Sequence, residues 1–149
     1  MKRIFILVLG MALWVSACSS ETGTGIDVHD AWARPALQGE NGAVYFVIEN
    51  QSSETHEIIG ATSDAAEAVE MHESKMNGDV MQMNQLESVS LGPGTEVTFE
   101  PGRLHIMLVG LKQELKIGDE IKITLQFQDF EDIQVLVPVT EGATHGEEH

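Results

Sequence analysis

Short apolar-rich runs, separated by turn residues, fill the chain from Ile26 to about residue 139. No long stretch repeats at the helical period, and runs of this length are typical of β-strands. Turn residues such as Asn77-Gly78 and Gly92-Pro93-Gly94 separate the runs. We expect strands at about 26–33, 42–50, 56–62, 67–75, 79–87, 95–100, 103–110, 119–128 and 132–139. This spacing predicts an all-β fold, an antiparallel β-sandwich of Greek-key type.

The first residues of the chain have the features of an export signal. Met1-Lys2-Arg3 is basic, and the apolar run that follows is too short for a comfortable membrane span. The segment Val15-Ser16-Ala17-Cys18 resembles a bacterial lipobox. We therefore expect a lipoprotein-type signal over residues 1–17, lipidation of Cys18 on the envelope or periplasmic side of a bacterial membrane, and a flexible tether over residues 18–25. An ordinary cleaved signal with an incidental cysteine is the alternative.

Length and net charge limit the number of domains and the classes of partner that the rest of the chain can have. Removal of 17 residues from 149 leaves 132, enough for one domain with its own core. The formal charge of −16 becomes −18 when Lys2 and Arg3 leave with the signal. Such a surface disfavours nucleic acid and anionic lipid, and it favours cations and basic partner surfaces. We expect one monomeric β-sandwich domain over residues 26–140 and a disordered, acidic, His-containing tail over residues 141–149.

The cysteine and motif content excludes several functional classes. Cys18 is the only cysteine in the chain, so its lipidation would leave no thiol. Without a thiol there is no disulfide framework, no cysteine nucleophile and no blue-copper electron-transfer site. The sequence also lacks the G-x-S-x-G, H-E-x-x-H and P-loop motifs. We therefore expect no enzymatic activity.

Two histidines and two methionines form the candidate metal site. His72, Met83, His105 and Met107 follow the pattern H-x10-M-x21-H-x-M. Thioether sulfur is soft and uncharged, so a ligand set of imidazoles and thioethers favours Cu(I) over harder divalent ions. The sequence therefore predicts Cu(I) as the bound metal.

Two local arguments bring these ligands together in pairs. A two-residue type I′ turn at Asn77-Gly78 would place His72 directly opposite Met83 on a hairpin. His105 and Met107 are two residues apart in a strand, so they share a face. The alternating Leu104, Ile106 and Leu108 are expected to face the core. Four ligands meet if the hairpin and this strand lie side by side.

Other histidines and methionines are given lesser roles. Met71, Met76 and Met81 are expected to fill gaps or to act as auxiliary ligands, and Met81 shares the predicted face of Met83. His29 and His56 are expected at the surface. For His145 and His149, in the acidic tail, the sequence leaves two roles open: they are either surface residues or weak Cu(II) ligands.

The pattern and its flanking segments resemble the PCu(A)C-type periplasmic copper chaperones. The resemblance is carried by the ligand spacing and by segments such as 30–35, Gly42-Ala43-Val44-Tyr45-Phe46 and 101–108. It implies a cupredoxin-like β-sandwich with Cu(I) bound by His72, Met83, His105 and Met107. It also implies a carrier that brings copper to the assembly of the copper site of cytochrome c oxidase, often alongside a thioredoxin-like assembly protein.

Two other functions stay open at this point. A copper-scavenging or buffering lipoprotein would bind the metal without metallating an oxidase subunit. A structural β-sandwich lipoprotein, with ligand spacing that arises by coincidence, would not bind Cu(I) specifically.

Overall fold

A computed structural model describes residues 25–142. This part of the chain forms ten β-strands and contains no helix long and apolar enough to cross a membrane. The expected signal, Cys18, most of the tether and the tail from residue 143 lie outside the described residues. The strands are β1 (Ile26–Ala33), β2 (Gly42–Asn50), β3 (His56–Thr62), β4 (Ala66–Asn77), β5 (Val80–Leu86), β6 (Val89–Leu91), β7 (Glu96–Phe99), β8 (Leu104–Leu111), β9 (Glu120–Phe127) and β10 (Ile133–Pro138).

The strands form two antiparallel sheets that pack face to face. The first sheet has the order β1-β2-β8-β4-β5, and β7 also pairs with β2. The second has the order β10-β9-β3-β6. The expected all-β Greek-key sandwich is therefore confirmed. Nine of the ten strands lie where the sequence predicts them, and the missed strand, β6, is only three residues long.

Alternation along the strands creates the core between the sheets. In β2, Val44, Phe46 and Ile48 are fully or almost fully buried, and Phe46 stacks on Phe99 of β7 with ring centroids 4.3 Å apart. In β8, Ile106 and Leu108 are fully buried, as predicted. Residues at the intervening positions of β2 and β8 lie on the outer face of the first sheet. That outer face carries the candidate metal site.

The register of the β4–β5 hairpin differs from the prediction. His72 pairs with Gln85 and Met83 pairs with Ser74, so the expected His72–Met83 pairing is wrong. The turn residues are Gly78 and Asp79, of which only Gly78 has a positive φ (65°). A type I′ turn at Asn77-Gly78 would need two residues with positive φ, whereas this turn needs only its glycine there, as type II′ turns do. Met83 is thus opposite Ser74, two residues further along β4 than the predicted partner His72. Because a shift of two residues keeps the same face, Met83 still lies on the face that carries His72.

Candidate metal centre

His72 and His105 lie directly opposite each other in the first sheet. The pairing of β4 with β8 sets His72 against His105, and their ring centroids are 5.7 Å apart. The side chain of His72 is 12% exposed, and His105 is buried, with only 6% of its surface exposed. The structure therefore brings together two imidazoles that are separated by more than thirty residues of sequence.

The two candidate methionines flank this histidine pair. Met107 pairs across the strands with Glu70, and Met83 pairs with Ser74. Each methionine is thus a diagonal neighbour of His72, about 7–8 Å away between Cα atoms and within reach of a long side chain. Met107 lies on one side of His72 along the strand direction and Met83 on the other. All three other candidate ligands therefore surround His72, although Met83 is not directly opposite it.

Each of the two imidazoles has one ring nitrogen that is hydrogen-bonded to another group of the protein. The Nδ1–H of His105 donates to the carbonyl oxygen of Arg103 at 3.0 Å, which leaves the lone pair on Nε2. The Nε2–H of His72 donates to the Glu70 carboxylate at 2.8 Å. The Nδ1 atom of His72 is buried and has no hydrogen-bond partner in the described part of the chain. Ligating histidines commonly have this arrangement, in which a carbonyl or carboxylate fixes one nitrogen and the other binds the metal.

The donors near these imidazoles are thioethers. Within residues 25–142 there is no group of three or more His, Cys, Asp or Glu side chains positioned to hold a metal ion. Glu70 accepts the hydrogen bond from His72, and Met107 and Met83 occupy the diagonal positions. A metal bound between the histidines would therefore find soft, neutral sulfur atoms as further ligands, and Cu(I) is the ion that this donor set suits best.

An aromatic wall borders the histidine pair on the side of β1 and β2. Trp32 packs on Tyr45 with ring centroids 4.6 Å apart, and Tyr45 lies 6.5 Å from the His105 ring. The guanidinium of Arg34 stands over both aromatic rings, 5.6 Å from Tyr45 and 5.9 Å from Trp32. The ring neighbours of His105 on the outer face of the sheet are therefore Tyr45, which packs against Trp32 and Arg34, and His72. The sequence analysis assigned no role to Trp32, Arg34 or Tyr45, because their proximity to His105 depends on strand pairing. It also missed Glu70, although Glu70 and His72 are two residues apart in β4 and therefore share a face, a spacing that could have identified the pair.

Tyr45 gives a direct optical test of this wall. Burial raises the pKa of its phenol above the ordinary value of 10.0, and the nearby charge of Arg34 partly offsets that rise. Tyr45 is the only tyrosine in the chain, so tyrosinate absorbance reports on it alone. We expect the absorbance to appear at a higher pH than in the unfolded chain. Because the unfolded chain ionises first, the free energy of unfolding should fall as the pH rises above 10, and Tyr45→Phe should remove that fall.

Arg34→Met provides the matched comparison for the Tyr45 titration. Loss of the guanidinium removes the charge that favours tyrosinate, so the pKa of Tyr45 should rise further. An ordinary titration midpoint in the wild-type protein would contradict the buried position of the phenol.

The remaining histidines and methionines lie apart from the histidine pair. His29 is exposed, as predicted, and its Nδ1 lies 3.0 Å from the Asp30 carboxylate. His56 is buried, so its predicted surface position is wrong; its Nε2 contacts the Ser52 hydroxyl at 3.1 Å and its ring packs on Phe130. Met71 is a core residue, whereas Met76 and Met81 are exposed. The histidines of the tail lie outside the described residues.

The chain is similar to a family and to a relative that are both named as putative lipoproteins. The family described as "Putative lipoprotein LpqE-like" matches residues 26–139. A relative named "Putative lipoprotein Lxx21020", from Leifsonia xyli subsp. xyli (strain CTCB07), is 32% identical over 142 residues, which cover 93% of this chain and 85% of that protein.

Solved structures with the same fold include copper-bound proteins. The copper-bound PCuAC domain from PmoF2 superposes with a TM-score of 0.66 at 23% identity, over 77% of this chain and 92% of that domain. The solution structure of CuI-DR1885 from Deinococcus radiodurans gives a TM-score of 0.58 at 26% identity, over 84% of this chain and 86% of that protein. The two-sheet architecture described above is therefore that of PCuAC domains.

Proposed function

We propose that this chain, which belongs to the LpqE-like lipoprotein family and is of the PCuAC type, is a Cu(I) carrier of the bacterial cell envelope. The proposed ligands are His72, Met83, His105 and Met107. The observation that carries the proposal is the opposed pair of histidines, each with one nitrogen held by the protein, surrounded by two thioethers.

The chemistry of these ligands suits a protein that must release its metal. Neutral imidazoles and thioethers hold Cu(I) without burying negative charge, and a thioether needs no deprotonation before it binds. Thiolates on an acceptor are stronger donors for Cu(I), so transfer to a cysteine-containing site is favourable. Met83 is 52% exposed and stands on the edge strand β5, where an approaching acceptor ligand can replace it first.

The proposed destination of the metal is the copper site of cytochrome c oxidase, reached directly or with a thioredoxin-like assembly protein. The strongly acidic chain, with a formal charge of −16, would be attracted to a basic acceptor surface. Lipidation at Cys18 would keep the domain at the membrane, in agreement with the lipoprotein names of the family and its relative. The protein would act there as a monomeric carrier and not as a catalyst.

Copper handover tests this function. The chain, loaded with one equivalent of Cu(I), is mixed with the reduced, metal-free copper domain of an oxidase subunit, and transfer is followed by separating the two proteins. We expect the transfer rate to rise with acceptor concentration, because ligand exchange occurs within a complex of the two proteins. A rate equal to spontaneous release into a small chelator, at every acceptor concentration, would contradict the carrier and indicate a copper buffer. Met71→Leu, in the core, is the matched control and should transfer copper normally.

A further inference from the structure

Three methionines lie together on one face of the β4–β5 hairpin, beyond the histidine pair. Met76 pairs directly with Met81, and Met83 pairs with Ser74 one step closer to His72. Because opposed residues and residues two apart share a face, all three thioethers lie on the face that carries His72. We call Met76, Met81 and Met83 the thioether face.

The thioether face is exposed and carries no formal charge. Met76, Met81 and Met83 are 62%, 57% and 52% exposed. The charged side chains of β4 at this end, Glu73 and Lys75, alternate onto the opposite face, where they form an ion pair at 2.8 Å. A contiguous group of large apolar side chains in water usually marks a binding surface. Methionine in particular adds flexible side chains with a soft sulfur donor.

The outer pair of methionines is too far from the histidines to share their metal ion. Met76 follows His72 by four residues, which is about 13 Å along a strand. Met83 is level with Ser74 and therefore lies between the two groups. Directly opposed residues such as Met76 and Met81 have Cβ atoms about 4.5–5.5 Å apart, close enough for two sulfur atoms to bind one ion.

We propose that Met76 and Met81, with Met83 as a shared third ligand, form a second Cu(I) site at the tip of the hairpin. The site binds Cu(I) more weakly than the histidine pair because it has no imidazole. Copper moves between the two positions by exchange of thioether ligands around Met83, and it stays Cu(I) throughout. The existence of the second site stands independently of the carrier function, whereas its role as the entry and exit point rests on that proposed function.

The second site is tested on the full chain in detergent, with the methionine methyl groups labelled with carbon-13. The NMR signals are followed during titration with Ag(I), a redox-inert analogue of Cu(I). We expect the first equivalent to shift the Met107 signal and the second to shift those of Met76 and Met81. Signals of Met76 and Met81 that stay unchanged after two equivalents would overturn the proposal, as would shifts that appear only in large excess of metal.

Paired variants separate this inference from the proposed function. Met76→Leu with Met81→Leu keeps the apolar volume but removes both sulfur atoms, so the second equivalent should be lost and the first retained. Met71→Leu, a core methionine, is the control and should keep both equivalents. His72→Ala with His105→Ala should lose the tight equivalent and keep the weak one. Retention of the tight equivalent in the histidine variant would contradict the carrier site alone, and retention of both equivalents in the leucine variant would contradict the tip site alone.

Discussion

Replacement of His105 with alanine is expected to lower the affinity for Cu(I) by about 100-fold or more. Loss of a residue that merely orients a metal ligand typically costs 10–100-fold in affinity, so loss of a ligand itself should cost at least the upper end of that range. His105 is only 6% exposed, and its Nδ1–H already donates a hydrogen bond to the carbonyl oxygen of Arg103. Its Nε2 is therefore the nitrogen available to the metal, and no other imidazole in the described part of the chain faces His72 so closely.

Competition with a chromogenic Cu(I) chelator measures this loss. His72→Ala should give a loss of the same size, and circular dichroism shows whether each variant folds. Glu70→Ala should lower the affinity by only about tenfold, because the Glu70 carboxylate orients His72 through its Nε2–H and leaves Nδ1 for the metal. His29→Ala, at an exposed position on β1, is the matched control. Unchanged affinity in both His72→Ala and His105→Ala would exclude the site.

Phe99→Ala is expected to reduce the free energy of unfolding by about 3–5 kcal/mol. Phe99 is 2% exposed, pairs across the strands with Phe46 and stacks on its ring at 4.3 Å. Truncation removes a large buried side chain and leaves a cavity beside the Phe46 ring, and a close-packed core relaxes only partly into such a cavity. For a domain of this size that loss is a large part of the total stability.

Urea denaturation followed by circular dichroism measures the change. Thr98→Ala lies in the same strand but on the exposed side, so it should change the free energy of unfolding by no more than about 0.5 kcal/mol. The folded fraction of Phe99→Ala should bind Cu(I) as the wild type does, because Phe99 faces the core and the histidine pair lies on the outer face. A stability loss below about 1 kcal/mol would show that the Phe46–Phe99 contact does not organise the core.

Local sequence patterns predicted the strands and the faces of the site residues. A strand has a period of two, so the apolar Ile106 and Leu108 had to face the core and His105 and Met107 had to share the other face. The same parity explains why Met83 lies on the predicted face although the predicted hairpin register was wrong. A change of two residues moved Met83 from His72 to Ser74 without changing its face.

Contacts between distant parts of the chain depended on the packing of the sheets. The pairing of β4 with β8, which sets His72 against His105, joins strands separated by the β5–β7 segment, and no local period encodes it. It is set by the burial of the apolar faces of both strands against the second sheet, as at Met71 and Ile106. The aromatic wall of Trp32 and Tyr45 follows from the same packing, since β2 lies beside β8, and β1 beside β2, only once the sheet has formed. The ligand types and their faces are thus local properties of the chain, whereas their meeting is a property of the folded sheet.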